Sequence, residues 1–160
     1  MQAMTRSADD PQGHFEAVEA LLSRWLEERN TLLSRYTELV DLLEGGPESE
    51  RLRHCQSALC EILVDYTSAG HFEVFHQLIE EAEAFADGSG QLASRVMPAI
   101  GDTTEVILAY DEKYGTDGDR QAGLKRDLSA LGEMLESRFM LEDRLIAGLH
   151  HRHRGAVASP

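Results

Sequence analysis

The chain of 160 residues has the length of one domain with a core of ordinary size, and we predict a single helical domain over 1–160. Its 29 acidic residues outnumber its 15 basic ones, and the formal net charge of -14 argues against direct binding to nucleic acid phosphates. Acidity is strongest over 48–91, where nine acidic residues accompany only two basic ones, Arg51 and Arg53. Such a pole attracts a basic partner, although acidity also simply keeps a domain soluble.

The chain shows no sign of a membrane or secreted protein. No apolar run approaches the roughly 18 residues that a membrane-spanning helix needs. The first 13 residues are polar and include two acids, which is not the pattern of a signal peptide. Cys55 and Cys60 point in different directions on a helix, so we predict two free thiols. We therefore expect a cytoplasmic protein, with loose tails at 1–13 and 151–160.

Helical periodicity begins near the N-terminus. The first predicted helix spans about 12–44 and ends at Gly45-Gly46-Pro47. Its apolar seam holds a spacing of three or four residues, with one interruption at Arg29. The residues of this seam are Phe15, Val18, Leu22, Trp25, Leu32, Tyr36, Leu39 and Leu43.

The second predicted helix carries its own apolar seam and stops at Gly70, which we expect to break or turn the chain. That seam consists of Leu52, Cys55, Leu59, Ile62, Tyr66 and Ala69. A short third helix follows from Phe72 to about Phe85, and the residues Asp87-Gly88-Ser89-Gly90 form a loop.

Two further helices complete the prediction. One spans about 91–114, where Pro98 predicts a kink or restart, and it precedes a loop at 115–118. The last helix spans about 119–150. Four long helices and one short piece predict an all-α fold, an antiparallel up-and-down four-helix bundle with an additional short helix.

The segment from Leu63 to Phe72 joins a carboxylate, a hydroxyl, a glycine and a large aromatic ring at a helix end. In one interpretation, Asp65 and Ser68 bond open backbone groups, Gly70 permits a left-handed turn, and Phe72 belongs to the core. In the other, Asp65, Ser68 and Phe72 form a binding surface, with an apolar anchor ringed by polar groups. The residues alone favour the first interpretation.

Arg138 and Glu142 interrupt the seam of the last helix. They are four residues apart, so they share one face and can pair with each other. Such a pair either sets the register of the bundle or lines a polar cavity or partner-binding groove. The sequence leaves both possibilities open.

Catalytic and metal-binding patterns are weak in this chain. A di-iron bundle uses Glu-x-x-His twice, whereas here the pattern occurs once, as Glu73 and His76. Ser68 and His71 have no evident base-orienting partner, and there is no phosphate-binding glycine loop. We therefore predict no enzyme, no metal and no cofactor.

Three blocks of sequence resemble the Rsd/AlgQ family of bacterial anti-sigma regulators. The first is Arg24-Trp25-Leu26-Glu27-Glu28-Arg29 with Leu32-Leu33, and the third runs from Glu136 to Ile146. The second, Leu-Val-Asp-Tyr-Thr-Ser-Ala-Gly-His-Phe from Leu63 to Phe72, is similar to the family signature almost residue for residue. The blocks stand in the family's order, and the resemblance spans roughly 14–149.

The resemblance implies a bundle that grips the C-terminal, promoter −35-reading region of the housekeeping sigma factor and keeps sigma from core polymerase. It also implies that Asp65, Ser68 and Phe72 contact sigma, and we add Arg138 and Glu142 as candidate partner-binding residues. We expect a 1:1 complex and regulation of transcription, including alginate genes by analogy with one branch of the family. The alternatives are a di-iron or hemerythrin-like metal-binding bundle, and an adaptor for other regulatory proteins.

Overall fold

The computed structural model describes residues 10–115 and 122–157, and these residues form helices without any strand. The predicted all-α bundle is therefore confirmed. In chain order, the elements are α1 (Pro11–Glu44), α2 (Ser49–Ala69), a π-helical segment (Gly70–Val74), α3 (Phe75–Phe85), α4 (Gln91–Tyr114), α5 (Leu124–Leu149) and a 3-10 helix (His151–Ala156). Among the described residues, no helix is long and apolar enough to cross a membrane.

Helix ends follow from local chemistry. The Asp10 carboxylate accepts a hydrogen bond of 3.2 Å from the Gly13 amide at the start of α1, and Pro11 occupies the first helical position. The last helix starts later than predicted, at Leu124, because Gly123 has a left-handed backbone with φ of 76°. Residues 1–9, 116–121 and 158–160 lie outside the described part. The predicted loop at 115–118 therefore falls mostly on residues that the structure does not describe, as do the first residues predicted for the last helix, 119–121. Helix α4 continues through Pro98 without a restart.

Neighbouring long helices run in opposite directions. Along α1 and α5, the Phe15 ring meets His150, Arg29 meets Glu142, and the Tyr36 hydroxyl donates to the Leu128 carbonyl oxygen. Residue numbers rise on one helix as they fall on the other, which establishes the antiparallel order. Helices α1 and α2 are related in the same way, since Arg29 meets Tyr66 while Glu38 meets Cys55.

One apolar core extends through all five helices. Trp25 of α1 is near its centre, with 1% of its surface exposed. Its ring stacks on Tyr66 of α2 at 4.6 Å and meets the edge of Phe75 of α3 at 5.7 Å. Its indole nitrogen donates to the Tyr66 carbonyl oxygen at 3.1 Å. Both cysteines are free and buried, as predicted.

Gly70 does not break the helix, which corrects the prediction from sequence. Its backbone is right-handed (φ −60°, ψ −51°), and α2 continues through the π-helical segment into α3. The reason for glycine here is space: a Cβ at this position would lie 2.9 Å from the Trp25 ring and 3.4 Å from the Phe75 ring. Glycine therefore allows the helix to pass close to the tryptophan.

The C-terminal segment also differs from the prediction of a loose tail over 151–160. Residues His151–Ala156 form a 3-10 helix that packs back on the bundle, and the His153 side chain is 2% exposed. The ring of His153 stacks on Phe85 at 3.9 Å. At the other end, residues 10–13 belong to the capped start of α1 and not to a loose tail.

We expect Gly70→Ala to lower the free energy of unfolding by about 1–3 kcal/mol, because the added methyl group overpacks a site bounded by Trp25. Gly101→Ala is the matched control, since it adds the same methyl group to helix α4 at a position where no neighbouring element lies within 4 Å of the added Cβ. That control should gain about 0.5–1 kcal/mol from helix propensity. Urea unfolding of both variants measures the difference, and equal stabilisation by both would refute the close-packing explanation.

Candidate functional site

Phe72 is the most exposed of the large hydrophobic side chains in the described structure, at 75% of its surface. It lies on the π-helical segment directly after Gly70, and the edge of its ring meets His71 at 4.7 Å. Asp65 is exposed and Ser68 is half-buried on the preceding turns of α2. The sequence places these three positions on adjacent turns of one continuous helix, and their exposure leaves them available to a partner.

Carboxylates from two further positions accompany Asp65. Partial burial and the neighbouring charges of Asp65 and Glu73 raise the pKa of Glu28 above its ordinary value. Glu28 on α1 thus lies within range of the charges of both Asp65 on α2 and Glu73 on the π-helical segment. We call the set of Glu28, Asp65, Ser68, Phe72 and Glu73 the Phe72 surface. Reasoning from sequence missed Glu28, although it lies within the Arg-Trp-Leu block on a neighbouring helix.

Beneath this surface, Tyr66 fixes α2 to the interior. Its ring is fully buried between Trp25 at 4.6 Å and Phe139 at 6.0 Å, stacked on the first and edge-on to the second. Its hydroxyl accepts a hydrogen bond of 3.0 Å from Arg29 and donates one of 2.5 Å to the Glu142 carboxylate. The residue next to Asp65 therefore connects the surface to a buried polar network.

Glu142 of α5 is the centre of that network and is 0% exposed. Its Oε1 atom accepts from the Tyr66 hydroxyl and from Arg29 at 2.9 Å, while Oε2 accepts from Arg138 at 2.8 Å. Arg29 also donates to Asp143 at 2.8 Å, and its guanidinium carbon lies 4.6 Å from the centre of the Phe139 ring. One buried carboxylate thus holds two guanidinium groups from different helices.

Arg138 connects the network to α4. It is 0% exposed and donates to the hydroxyl oxygens of Thr103 and Thr104 at 2.9 and 2.8 Å. The same nitrogen reaches the Ile100 carbonyl oxygen at 3.4 Å. The network therefore joins α1, α2, α4 and α5.

These positions correct the prediction that Arg138 and Glu142 contact a partner directly. Neither side chain reaches the surface, and each is engaged with neighbouring helices. The two residues pair with each other, as the four-residue spacing predicts. Of the two possibilities that the sequence leaves open, the structure shows the one in which the pair fixes the arrangement of helices.

Protonation in the network follows from opposing effects. Burial raises the pKa of Glu142, while the guanidinium groups of Arg138 and Arg29 and the Tyr66 hydroxyl act in the opposite direction. Burial, followed by the charge of Glu142, raises the pKa of Tyr66 and keeps its hydroxyl a donor. A neutral tyrosine and two cations around one carboxyl group are a consistent hydrogen-bonding set.

A metal-binding bundle would need several ligands that converge on one point. Within 10–115 and 122–157, no group of three or more histidine, cysteine, aspartate or glutamate side chains is arranged to hold a metal ion. Glu73 and His76, which form the single Glu-x-x-His pattern, are both exposed.

We expect Glu142→Gln to lower the free energy of unfolding by about 3–5 kcal/mol, because it leaves the buried guanidinium group of Arg138 without its counter-charge and removes one of the two carboxylates that pair with Arg29. Asp143→Asn is the matched control. It removes the neighbouring carboxylate, which also pairs with Arg29 but is 60% exposed, so its loss should be below about 1 kcal/mol. Guanidinium chloride unfolding measures both values, and similar small losses would contradict the central role of Glu142.

Comparison with known proteins identifies the family of this chain. A family model described as "Regulator of RNA polymerase sigma(70) subunit, Rsd/AlgQ" matches residues 4–150. Proteins named Regulator of sigma D from Salmonella paratyphi A (strain ATCC 9150 / SARB42), Salmonella paratyphi B (strain ATCC BAA-1250 / SPB7) and Salmonella newport (strain SL254) are each 37% identical over 132 residues, 79% of this chain and 79% of theirs. The chain therefore belongs to the Rsd/AlgQ family of regulators of the RNA polymerase sigma(70) subunit.

Proposed function

We propose that this protein is a non-enzymatic anti-sigma factor that binds the housekeeping sigma factor and keeps it from core RNA polymerase and promoters. The family and its relatives are described as regulators of the sigma(70) subunit and of sigma D. The proposed contact joins the Phe72 surface to the C-terminal, −35-reading region of sigma in a 1:1 complex in the cytoplasm. Asp65, Ser68 and Phe72 are the residues that we propose to touch the partner.

The exposure of Phe72 is the observation that carries this proposal. A phenylalanine left 75% exposed forgoes most of the roughly 1.5–3 kcal/mol that burial of such a side chain contributes. A partner that covers the ring recovers this free energy on binding. Aromatic side chains surrounded by polar groups are typical centres of binding energy in protein interfaces.

The position of Phe72 is also held rigidly. Gly70 lies against the Trp25 ring, and Tyr66 is anchored by stacking and by hydrogen bonds on the turn before it. A ring presented from a fixed backbone loses little conformational entropy when it binds. The buried interior thus supports the proposed contact without touching the partner.

Charge complementarity supports the choice of partner. A region of sigma that reads promoter DNA needs basic side chains to contact phosphates. Glu28, Asp65 and Glu73 give the Phe72 surface the opposite sign, within a chain of net charge -14. Complementary charges of this kind raise association rates and exclude acidic partners.

We expect Phe72→Ala to weaken binding of the housekeeping sigma factor by about 30-fold, the effect of a typical hot-spot truncation of about 2 kcal/mol. Leu108→Ala is the matched control, because Leu108 is 52% exposed on α4, away from the Phe72 surface. Asp65→Ala should also weaken binding. Calorimetric titration measures each affinity, and urea unfolding checks that the variants remain folded.

A stress sigma factor, titrated under the same conditions, tests specificity. Binding to the housekeeping sigma alone supports the proposal. Parent-like affinity of both Phe72→Ala and Asp65→Ala would show that the surface is wrongly assigned, and absence of any sigma binding at low salt would leave an adaptor for other proteins as the better hypothesis.

We expect binding to weaken as salt rises and as pH falls. The pKa of Glu28 is raised, so a fraction of this carboxyl group takes up a proton at a higher pH than an ordinary glutamate does. A basic partner favours the ionised form, and affinity is therefore present above the raised pKa and falls as pH drops through it. Glu28→Gln should flatten both dependences. Titrations at several salt concentrations and pH values check this, and salt-independent binding would contradict the electrostatic contribution.

A further inference from the structure

Two histidines hold the C-terminal 3-10 helix against the bundle. His150 and His153 are 0% and 2% exposed, and their Nδ1 atoms lie 2.5 and 2.6 Å from the two oxygens of Glu81. Glu81 belongs to α3 and is itself 0% exposed. One buried carboxylate therefore faces both rings.

The second nitrogen of each ring also faces a carboxylate. His150 Nε2 lies 2.6 Å from Glu19 of α1, and His153 Nε2 lies 3.0 Å from Asp87 in the loop before α4. Other polar groups approach these outer carboxylates or the rings themselves. They are Ser89 at 3.5 Å from His153, Arg152 at 3.5 Å from Asp87, Arg154 at 3.3 Å from Glu19, and the ring of His151 at 5.7 Å from His150.

This arrangement constrains the protons. An ionised carboxylate only accepts hydrogen bonds, whereas a neutral imidazole has one donor and one acceptor nitrogen. Hydrogen bonds from Ser89, together with His153, lower the pKa of Asp87 to about 2, and a hydrogen bond from His150 lowers the pKa of Glu19. Both outer carboxylates are therefore ionised near neutral pH, and each Nε2 atom must donate.

The carboxyl group of Glu81 then constrains the charge of the two histidine rings. Each Nδ1 atom faces a different oxygen of Glu81, and this carboxyl group can carry only one proton. If both rings were neutral, two acceptor nitrogens would face an acid with a single hydrogen. At least one of His150 and His153 is thus an imidazolium.

Aromatic rings reinforce the charged form. The Phe15 ring stacks on His150 at 4.2 Å, and the Phe85 ring stacks on His153 at 3.9 Å. The face of an aromatic ring attracts a cation. The two rings also cover the histidines from water, which strengthens their contacts with the carboxylates.

We propose that His150, His153 and Glu81 form a proton-operated latch, closed while His150 is charged, that fastens the C-terminal 3-10 helix to α3 and to α1. Loss of a proton would turn a ring nitrogen's lone pair toward a carboxylate oxygen, and the attractive contact would become repulsive. The latch is independent of the sigma-binding proposal, since it shares no residue with the Phe72 surface.

The sign of the pH dependence follows from His150. Burial lowers its pKa, but the hydrogen bonds and charges of Glu81 and Glu19 outweigh burial and raise the pKa above the ordinary value. A group whose pKa is raised on folding contributes stability that is fully present below its unfolded pKa of about 6.5. That contribution is lost as pH rises through the higher, folded value.

Nuclear magnetic resonance of the ring nitrogens in the full chain tests the charge state. At pH 6.5, the ordinary pKa of histidine, we expect a mostly imidazolium pattern from His150, whose pKa is raised, and a mostly neutral pattern from His151, whose pKa is lowered by partial burial and by Arg154. A mostly neutral His150 ring at this pH would overturn the proposal.

Amide exchange tests whether the charge holds the segment. The His153 amide donates to the His150 carbonyl oxygen at 2.9 Å, so its exchange reports opening of the 3-10 helix. After correction for intrinsic exchange, we expect its protection to fall by about tenfold or more as His150 loses its proton. Protection that is independent of pH would overturn the latch.

Two variants sharpen this experiment. Glu19→Gln removes an outer carboxylate that is half-exposed, so the core is not disturbed, and it should move the loss of protection to lower pH. His151→Gln changes an exposed histidine of the same segment and should leave the transition unchanged. A Glu19→Gln transition identical to that of the parent chain would show that this carboxylate does not hold the latch closed.

Discussion

The buried carboxylate of Glu142 is the constraint on which the positions of the four long helices depend. A carboxylate without solvent must be surrounded by donors, and here they come from three other side chains: Tyr66, Arg29 and Arg138. Each donor lies on a defined turn of its own helix. Arg138 extends the same requirement to the hydroxyl groups of α4. A slip of α1, α2 or α4 by one turn would remove hydrogen-bond partners from the buried Arg138–Glu142 pair, so the network favours one register among those that apolar packing permits.

The network also determines what the surface can do. Tyr66 satisfies Glu142 through its hydroxyl and stacks on Trp25 through its ring. Trp25 in turn leaves room only for glycine at position 70, and the residues just after Gly70 form the π-helical segment that presents Phe72. A continuous series of contacts thus connects the buried Glu142 carboxylate to the segment that exposes the Phe72 ring. π-helical insertions occur frequently at functional sites, and here the insertion places a large apolar side chain outside the core.

Much of the bundle was predictable because its helices obey simple periodicity. Of the apolar seam residues predicted for α1, Phe15, Val18, Trp25 and Leu39 are all buried. The continuity of α2 into α3 was not predictable from the glycine alone, because glycine serves both close packing and turns, and only the position of Trp25 distinguishes the two. The burial of Arg138 and Glu142 depends on partners that are distant in sequence. The ordered C-terminus was missed for the same reason, since a run of histidines and arginines is polar by composition and its carboxylate partners lie on α1, α3 and the loop before α4.

The charged groups of the interior and those of the Phe72 surface therefore differ in how they are paired. In the interior, Glu142 lies within hydrogen-bond distance of two arginines, and Glu81 lies within hydrogen-bond distance of two histidines. At the Phe72 surface, partial burial, followed by the like charges of Asp65 and Glu73, raises the pKa of Glu28. Unbalanced charge at a surface costs folding free energy through mutual repulsion, and a basic partner relieves that repulsion. In the proposed complex, the same charges that disfavour the isolated surface attract a positively charged partner.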